Sequence, residues 1–497
     1  MTENKKMLVA PMALFAFSAF TLFWNLGDRL LWGDEAETAL LAVNITKFGL
    51  PVASDGRNVV TLLGVGKDTN AAGVWTWSPW LDEYAAAASF AVFGNSTFAA
   101  RFPFALAGLA GTIFFAYFAH RVYRRNDVTL FATLLFATNA SIVLHARQCR
   151  YYAIVVLAQM LLLYGCHAVY KGRARSGAVW IVVGLVAQWY CNYILATCNA
   201  LAVVLAAAAF RRLAPQLLKP FLVSIGIFAA AALPWLLYAG AGQQSGLIGF
   251  QDFSKKVFFY TKHVLPYLVP IVIGLTYFRN ASKNSGRLFI NCPNAEELAT
   301  YAFLFPLFAA YFAVLLVTPG YFYRYLVPLI PVLILCFAHV VCLIADTRCR
   351  YGAMAAVFLV FNAVPCVRLL ADITSHYENS VGDVVAFLNK NAKPDDRVYV
   401  PDPAFPVIFH TGLRVIDARL THRLDTQDLP EWIMSESPSA IGGASPIELP
   451  PALASLYTRV LLRVHDSPRG DSRPDPAFHA WFTSPGARKL IIYMKKG

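Results

Sequence analysis

The chain has 497 residues, of which 58% are hydrophobic and only 14% charged. Soluble domains carry about 25% charged and about 45–50% apolar residues, so much of this surface faces something other than water. The formal net charge of +13 does not point to nucleic acid, because the basic residues lie in short clusters between apolar runs, as in the cytoplasmic loops of a membrane protein, and no compact basic domain is present.

In chain order, Lys5 and Lys6 precede an apolar run from Met7 to Trp24. The run is longer than the core of a cleaved signal peptide and ends in large residues (Phe20, Leu22, Phe23, Trp24), which predicts an uncleaved first span. A mostly polar stretch, Gly27–Trp77, and a moderately apolar one, Trp80–Phe93, come next. Later apolar runs cover Phe102–His120, Val128–Leu144, Tyr152–Tyr170, Ala178–Trp189, Tyr193–Phe210, Phe221–Ala239, Val264–Phe278, Leu298–Val317, Tyr325–Ile344 and Gly352–Leu370. With the first, these make about eleven spans, in a range of roughly 9–13, by the ~20-residue criterion.

Five basic clusters set the orientation: Arg121/Arg124/Arg125, Lys171/Arg173/Arg175, Arg211/Arg212/Lys219, Arg279/Lys283/Arg287 and Arg348/Arg350. The positive-inside rule puts all five in the cytoplasm with the N-terminus, provided Trp80–Phe93 is a juxtamembrane or re-entrant helix and not a span. The first loop and the last ~125 residues are then outside.

The tail reads as a small α/β domain. An amphipathic helix starts at Ser380, a strand covers Arg397–Val400, and a helical piece at Phe405–Thr411 leads into Leu413–Ile416. Strands follow at Thr458–Val464 and Lys489–Tyr493, and Ser435–Pro451 is loop. The expected fold is thus an α-helical polytopic membrane module, 1–371, with its first external loop and juxtamembrane helices at 27–94, and an extracytoplasmic α/β domain, 372–497. The nine cysteines, mostly inside apolar runs and without metal spacing, carry no functional signal.

Chemistry is expected where ionisable residues defy this topology. His145, Arg147 and Arg150 sit at the outer end of one helix, Lys255, Lys256, Lys262 and His263 in the next long outer loop, and Arg324 in a short outer connection. A phosphate at the outer leaflet would explain their gathering, whereas any one Arg alone could simply snorkel to the headgroups. Leu31–Glu37 (L-W-G-D-E-A-E) places three carboxylates just beyond the first span. Asp34 and Glu37 have the spacing of a helix capping box, a reading that coexists with catalysis. Trp75, Trp77, Trp80 and Tyr84 suit sugar stacking, but also, and more simply, an interfacial aromatic belt.

The order of these features resembles the GT-C membrane glycosyltransferases, above all the lipid A aminoarabinose transferases and bacterial relatives of the protein O-mannosyltransferases. The resemblance rests on the acidic pair Asp34–Glu35, on F-G-N-S-T-F-A-A-R-F-P-F-A-L-A-G-L at Phe93–Leu109, on H-A-R-Q-C-R-Y-Y-A at His145–Ala153 and on Y-R-Y-L-V-P-L-I-P at Tyr323–Pro331. It spans most of Met7–Leu370. It implies a transferase that moves a sugar from a polyprenyl-phosphate carrier to a lipid, glycan or protein acceptor at the outer face of a bacterial inner membrane, with the C-terminal domain periplasmic or extracellular.

The resemblance further implies that Asp34 is the base, or the single candidate ligand of a divalent cation, with Glu35 completing the acidic pair. It assigns Arg147, Arg150, Arg324, Lys262 and His263 to the carrier phosphate and His145, Tyr151, Tyr152, Tyr325 and Trp77 to the substrate pocket. Two departures stand out. The Lys-Pro-Pro of many relatives is replaced by Trp77–Ser78–Pro79–Trp80, and the position of a second acid after the outer Arg is held by Tyr151 or Tyr152. Transfer of a whole oligosaccharide and transport of a lipid-linked sugar are the alternatives. Acids confined to an outer loop weigh against transport, which places its polar groups near the bilayer midplane.

Overall fold

The computed structural model describes residues 3–496 apart from 62–63, 65, 212–214, 241–251, 285–294, 319, 345–348, 402–403, 419, 421–428, 437–448, 466–473, 478, 480 and 482–485. Most of the expected loop Ser435–Pro451, together with Arg212, Arg287 and Arg348, lies outside the described residues. The chain forms two compact units. The first, the membrane unit, comprises Met1–Phe23, Phe104–Ala146 and Tyr151–Arg368. The second, the loop unit, comprises Trp24–Pro103, Arg147–Arg150 and Leu369–Gly497. The first external loop, expected with the membrane module, thus groups with the C-terminal tail.

The helices in chain order are α1 (Glu3–Phe23), α2 (Gly33–Phe48), α3 (Leu81–Phe93), α4 (Thr97–Tyr123), α5 (Asn126–Ala137), α6 (Ala140–Ala146), α7 (Tyr152–Tyr170), α8 (Ala174–Trp189), α9 (Tyr193–Phe210), α10 (Leu218–Ala239), α11 (Phe253–Asn284), α12 (Ala295–Leu315) and α13 (Ile330–Ile344). They continue with α14 (Arg350–Phe358), a π turn, α15 (Val364–Thr374), α16 (Ser380–Asn391), α17 (Ala404–Thr411) and α18 (Pro451–Ala454). Each apolar run read from the sequence falls on one or two of these helices.

Among the described residues, six helical stretches are long and apolar enough to cross a membrane, or seven if α5 and α6 form one span. Three shorter apolar helices accompany them at Ala10–Phe23, Tyr193–Ala209 and Phe303–Leu315. Leu222, Ile227, Leu233 and Leu237 of α10 are exposed, as lipid-facing side chains are on a helix whose solvent is hydrocarbon. The protein is an integral membrane protein.

The span expected at Val128–Leu144 is broken: α5 and α6 meet at 57°. Asn139 sits at the break and its side chain accepts from the Ile142 amide at 3.1 Å, capping α6 locally where a continuous helix would have used a carbonyl. α11 begins eleven residues before the expected run, so Lys262 and His263 lie on a helix and not in a loop.

α7 and α8 approach closely through glycines. A Cβ on Gly177 would lie 2.7 Å from the Gly165 carbonyl oxygen, and one on Gly184 2.7 Å from that of Ala158. Close backbone approach through small residues is a main source of helix association in lipid.

In the loop unit, α2 ends at Gly49, whose φ of 78° is left-handed and suits glycine. The tail carries a five-stranded mixed sheet of β1 (Arg397–Val400), β2 (Arg414–Asp417), β3 (Trp432–Met434), β4 (Tyr457–His465) and β5 (Ala487–Lys495), in the order β2-β1-β3-β5-β4. β1 pairs in parallel with β2 and β3; β5 pairs antiparallel with β3 and β4. The short β3 had no sequence signal, being three residues between polar stretches. Val384 and Leu388 of α16, Val407 of α17, and Val398, Val400, Met434, Leu490 and Ile492 of the sheet form its core.

Polar bonds explain why loop and tail make one unit. Asn58 donates to the Leu413 carbonyl at 3.0 Å and accepts from the Val415 amide at 2.8 Å, satisfying backbone groups of the edge strand β2. Arg29 pairs with Asp372 and lies 4.0 Å over the Tyr377 ring, and His479 contacts the same carboxylate at 3.2 Å.

Overpacking costs about 1–3 kcal/mol or more in a tight contact. Gly177→Val is therefore expected to lower the thermal midpoint and the monodisperse yield of detergent-solubilised protein. Gly226→Val, where an added Cβ meets nothing within 4 Å, leaves both unchanged.

Candidate functional site

The acidic motif forms the first turn of α2. Its helix starts at Gly33 with Trp32 as N-cap, two residues earlier than the capping-box spacing of Asp34 and Glu37 suggests. It is Glu35 that reaches back, accepting from the Trp32 amide at 3.4 Å.

Glu35 is fully buried. Arg101 grips it with two charge-assisted bonds, Nε to Oε1 at 2.8 Å and Nη2 to Oε2 at 2.7 Å. The other guanidinium hydrogens go to the carbonyls of Leu26 (3.1 Å), Arg29 (2.9 Å) and Leu30 (3.2 Å), so all five donors of this arginine are used. Glu35 also accepts from the Cys149 amide at 2.8 Å, and the Trp32 indole donates to Gln148. The segment Arg147–Arg150 is therefore docked on the start of α2 by its backbone and by Gln148.

That docking places Arg150. Its Nη1 donates to the Thr38 hydroxyl at 2.8 Å, to Glu37 at 3.1 Å and to the Asp34 carbonyl at 3.1 Å. Asp34 is half-buried, whereas Glu37 is buried. Arg147 is half-buried and donates to the carbonyls of Trp24 and Asn25 at 2.9 and 3.3 Å. Trp77 is half-buried in the loop before α3.

More acids surround Arg150 than it can neutralise. Burial, with Asp34 and Asp68 nearby, pushes the Glu37 carboxyl up to about 7 despite the pull of Arg150. Burial and then Asp82 push Glu83 of α3 well above the usual carboxylate range, Arg150 opposing. Asp82 and Glu83 are adjacent and both buried, and like charges so placed oppose each other's ionisation. On α17, burial and Arg101 hold His410 down to about 4, so the neutral ring accepts from the Leu31 amide at 3.1 Å.

The remaining expected residues lie in the membrane unit, where an aromatic cluster joins His145, Tyr151, Tyr152 and His263. His145 donates through Nδ1 to the Ser141 carbonyl at 2.7 Å and meets the Tyr152 ring edge-on at 4.7 Å. Tyr323 links it to His263, its ring 6.2 Å from His145 and 4.9 Å from His263. Tyr151 stacks obliquely on Tyr152 at 4.6 Å. Arg324 lies 4.4 Å over the Phe322 ring and 5.9 Å from Tyr325. Lys262 is exposed beside an apolar groove of about 960 Å³ lined by Phe258, Leu265, Val269 and Phe361 among others. Lys256, grouped with the outer cations in the sequence, is instead buried and donates to the carbonyls of Leu316 and Thr318.

Sequence reading missed Arg101, Glu37 as partner of Arg150, and the Asp82–Glu83 pair. Arg101 was signalled, as a lone cation in the apolar stretch Phe98–Phe104. Among the described residues no three His, Cys, Asp or Glu side chains gather as ligands, and Glu35 and Glu37 beside Asp34 are taken by arginines. No step below runs through a metal.

Breaking a buried ion pair by removing one partner costs about 3–5 kcal/mol, and Arg101→Leu should destabilise the protein by that order in detergent melting. The carboxyl of Glu37 titrates higher in the fold than in the unfolded chain, so its contribution is full below about 4.5 and is lost as pH rises through about 7. Melting wild type and Glu37→Gln from pH 5 to 8 should show the wild type losing stability relative to the variant. Parallel curves would remove the buried titration.

Two solved structures share this architecture across most of the chain. ArnT from Cupriavidus metallidurans matches in the apo state with a TM-score of 0.57 and bound to undecaprenyl phosphate with 0.56. In both cases the sequence identity is 13%, over 84% of this chain and 86% of that one. No family model and no curated protein matches the sequence. At this identity the likeness establishes the fold, which is of the GT-C type.

Proposed function

We propose that this protein is a glycosyltransferase that moves a sugar from a polyprenyl-phosphate carrier to an acceptor at the outer face of a bacterial inner membrane. The observation that carries the reading is the first turn of α2, where the half-buried Asp34 and the guanidinium of Arg150 are held on the same turn by three hydrogen bonds. A base and a phosphate-binding cation fixed side by side are what this chemistry requires. The likeness to a protein whose structure contains undecaprenyl phosphate supports the choice of carrier. An apolar groove with an exposed lysine in the membrane unit suits an isoprenoid chain ending in phosphate.

In the proposed reaction, Asp34 accepts the proton of the acceptor hydroxyl. The oxygen attacks the anomeric carbon, and the bond from that carbon to the phosphate oxygen breaks with its electron pair going to the phosphate. Attack opposite the phosphate inverts the anomeric centre. The leaving phosphate gains charge, which fixed guanidinium groups stabilise more in the transition state than in the ground state. Arg150 and Arg147 have this role in the loop unit; Arg324, Lys262 and His263 are the phosphate-binding candidates of the membrane unit. His145, Tyr151, Tyr152, Tyr325 and Trp77 are assigned to the substrate. Glu35, saturated by Arg101 and the Cys149 amide, is a positioning residue. The basic clusters after α4 and α7 support a cytoplasmic N-terminus and an outward-facing loop unit.

The test is release of free polyprenyl phosphate from a panel of polyprenyl-phosphate sugars by purified protein. Loss of a general base typically costs about 10²–10⁴-fold, and Asp34→Asn is expected to lose that much while eluting as folded protein. Full activity in that variant would end the assignment of the base. Movement of intact lipid-linked sugar across the bilayer, without cleavage, would favour the transporter.

A further inference from the structure

Resting on the reading of Arg150 as a phosphate-binding cation, we propose that Glu37 is a positioning residue that competes with the donor phosphate for Arg150, so that the donor binds together with a proton taken up at Glu37.

Glu37 accepts from Arg150 Nη1, and its side chain is only 3% exposed. The titratable and charged groups around it are Asp34 on its own helix, Asp68 from the loop, Asp82 and Glu83 from α3, and Arg150 and Cys149 from the docked tetrapeptide. Farther along the same packing, Glu35 and Arg101 are committed to each other and His410 of α17 is neutral. Arg150 acts on both Glu37 and Glu83, while Asp34 and Asp68 oppose the ionisation of Glu37 and Asp82 that of Glu83.

Even with Glu83 neutral, as the upward shift of its carboxyl favours, the cluster is net negative when Glu37 is ionised. An arriving phosphate then meets both repulsion and a competitor for the guanidinium. Protonation of Glu37 removes the competitor and lessens the repulsion by one charge, because a neutral carboxyl releases Arg150 and can itself donate to a phosphate oxygen. The titration of Glu37 near 7 places this exchange within the physiological range.

The experiment uses the full chain in lipid nanodiscs and a glycosyl polyprenyl phosphodiester as probe. A phosphodiester keeps one negative charge throughout the neutral range, so any pH dependence of its affinity belongs to the protein. For uptake of one proton, the Kd of wild type rises about tenfold per pH unit above the titration of Glu37. Glu37→Gln flattens the profile and binds more tightly than wild type at pH 8.5, while Glu37→Asp retains a slope. A flat wild-type profile, or an undiminished slope in Glu37→Gln, overturns the inference and leaves the transferase reading standing. No binding of the probe at any pH overturns both.

Discussion

The loop unit depends on one buried guanidinium. Arg101 spends all five hydrogens on Glu35 and on three carbonyls of the connector Leu26–Leu30. A buried charge is tolerated only when every donor is used and its counter-charge is in contact, and here both conditions hold. Because Glu35 also takes the Cys149 amide, the same pair fixes the connector, the start of α2 and the segment carrying Arg150. Arg150 reaches the Asp34 carbonyl because the neighbouring acid Glu35, one residue along and about 100° round the helix, is wholly committed to structure.

Electrostatics divides the three carboxylates of that turn. Glu35 is neutralised by a bidentate arginine, Glu37 shares Arg150 with Thr38 and the Asp34 backbone, and Asp34 keeps partial access to solvent. Glu35 and Glu37 are each in an arginine ion pair, and of the three only Asp34 has the exposure that a base needs. The surplus of acids around Arg150 would be adverse if all were charged, since like charges a few ångströms apart in a low-dielectric site cannot all ionise. The protons held by Glu83 and by Glu37 relieve this, and they tie the charge of the site to pH.

The membrane part was largely legible in the sequence, because a hydrocarbon solvent imposes a long apolar period that composition alone reveals. The break at Asn139 was not, since one polar residue inside an apolar run also occurs in unbroken spans. In the tail, β1, β2, β4 and β5 were read within a few residues from β-branched alternation, while β3 escaped because three residues carry no period. Within the site, Asp34 and Arg150 stood out as charges at a boundary. Glu37 did not, because its spacing to Asp34 fits an ordinary helix cap and its partner lies 113 residues away. Arg101 lies in the motif Phe93–Leu109, but its role is illegible there, since sequence shows a lone cation and not the carbonyls turned towards it.

The central claim is that the donor phosphate binds at Arg150 with its anomeric carbon presented towards Asp34. A cryo-EM structure of the protein with a non-transferable glycosyl polyprenyl phosphate analogue tests it most directly. The account predicts a phosphate oxygen within hydrogen-bond reach of the Arg150 guanidinium, in place of the Glu37 carboxylate, and the sugar against the first turn of α2. A well-defined phosphate bound elsewhere, with the Arg150–Glu37 pair intact and Asp34 remote from the sugar, would contradict it.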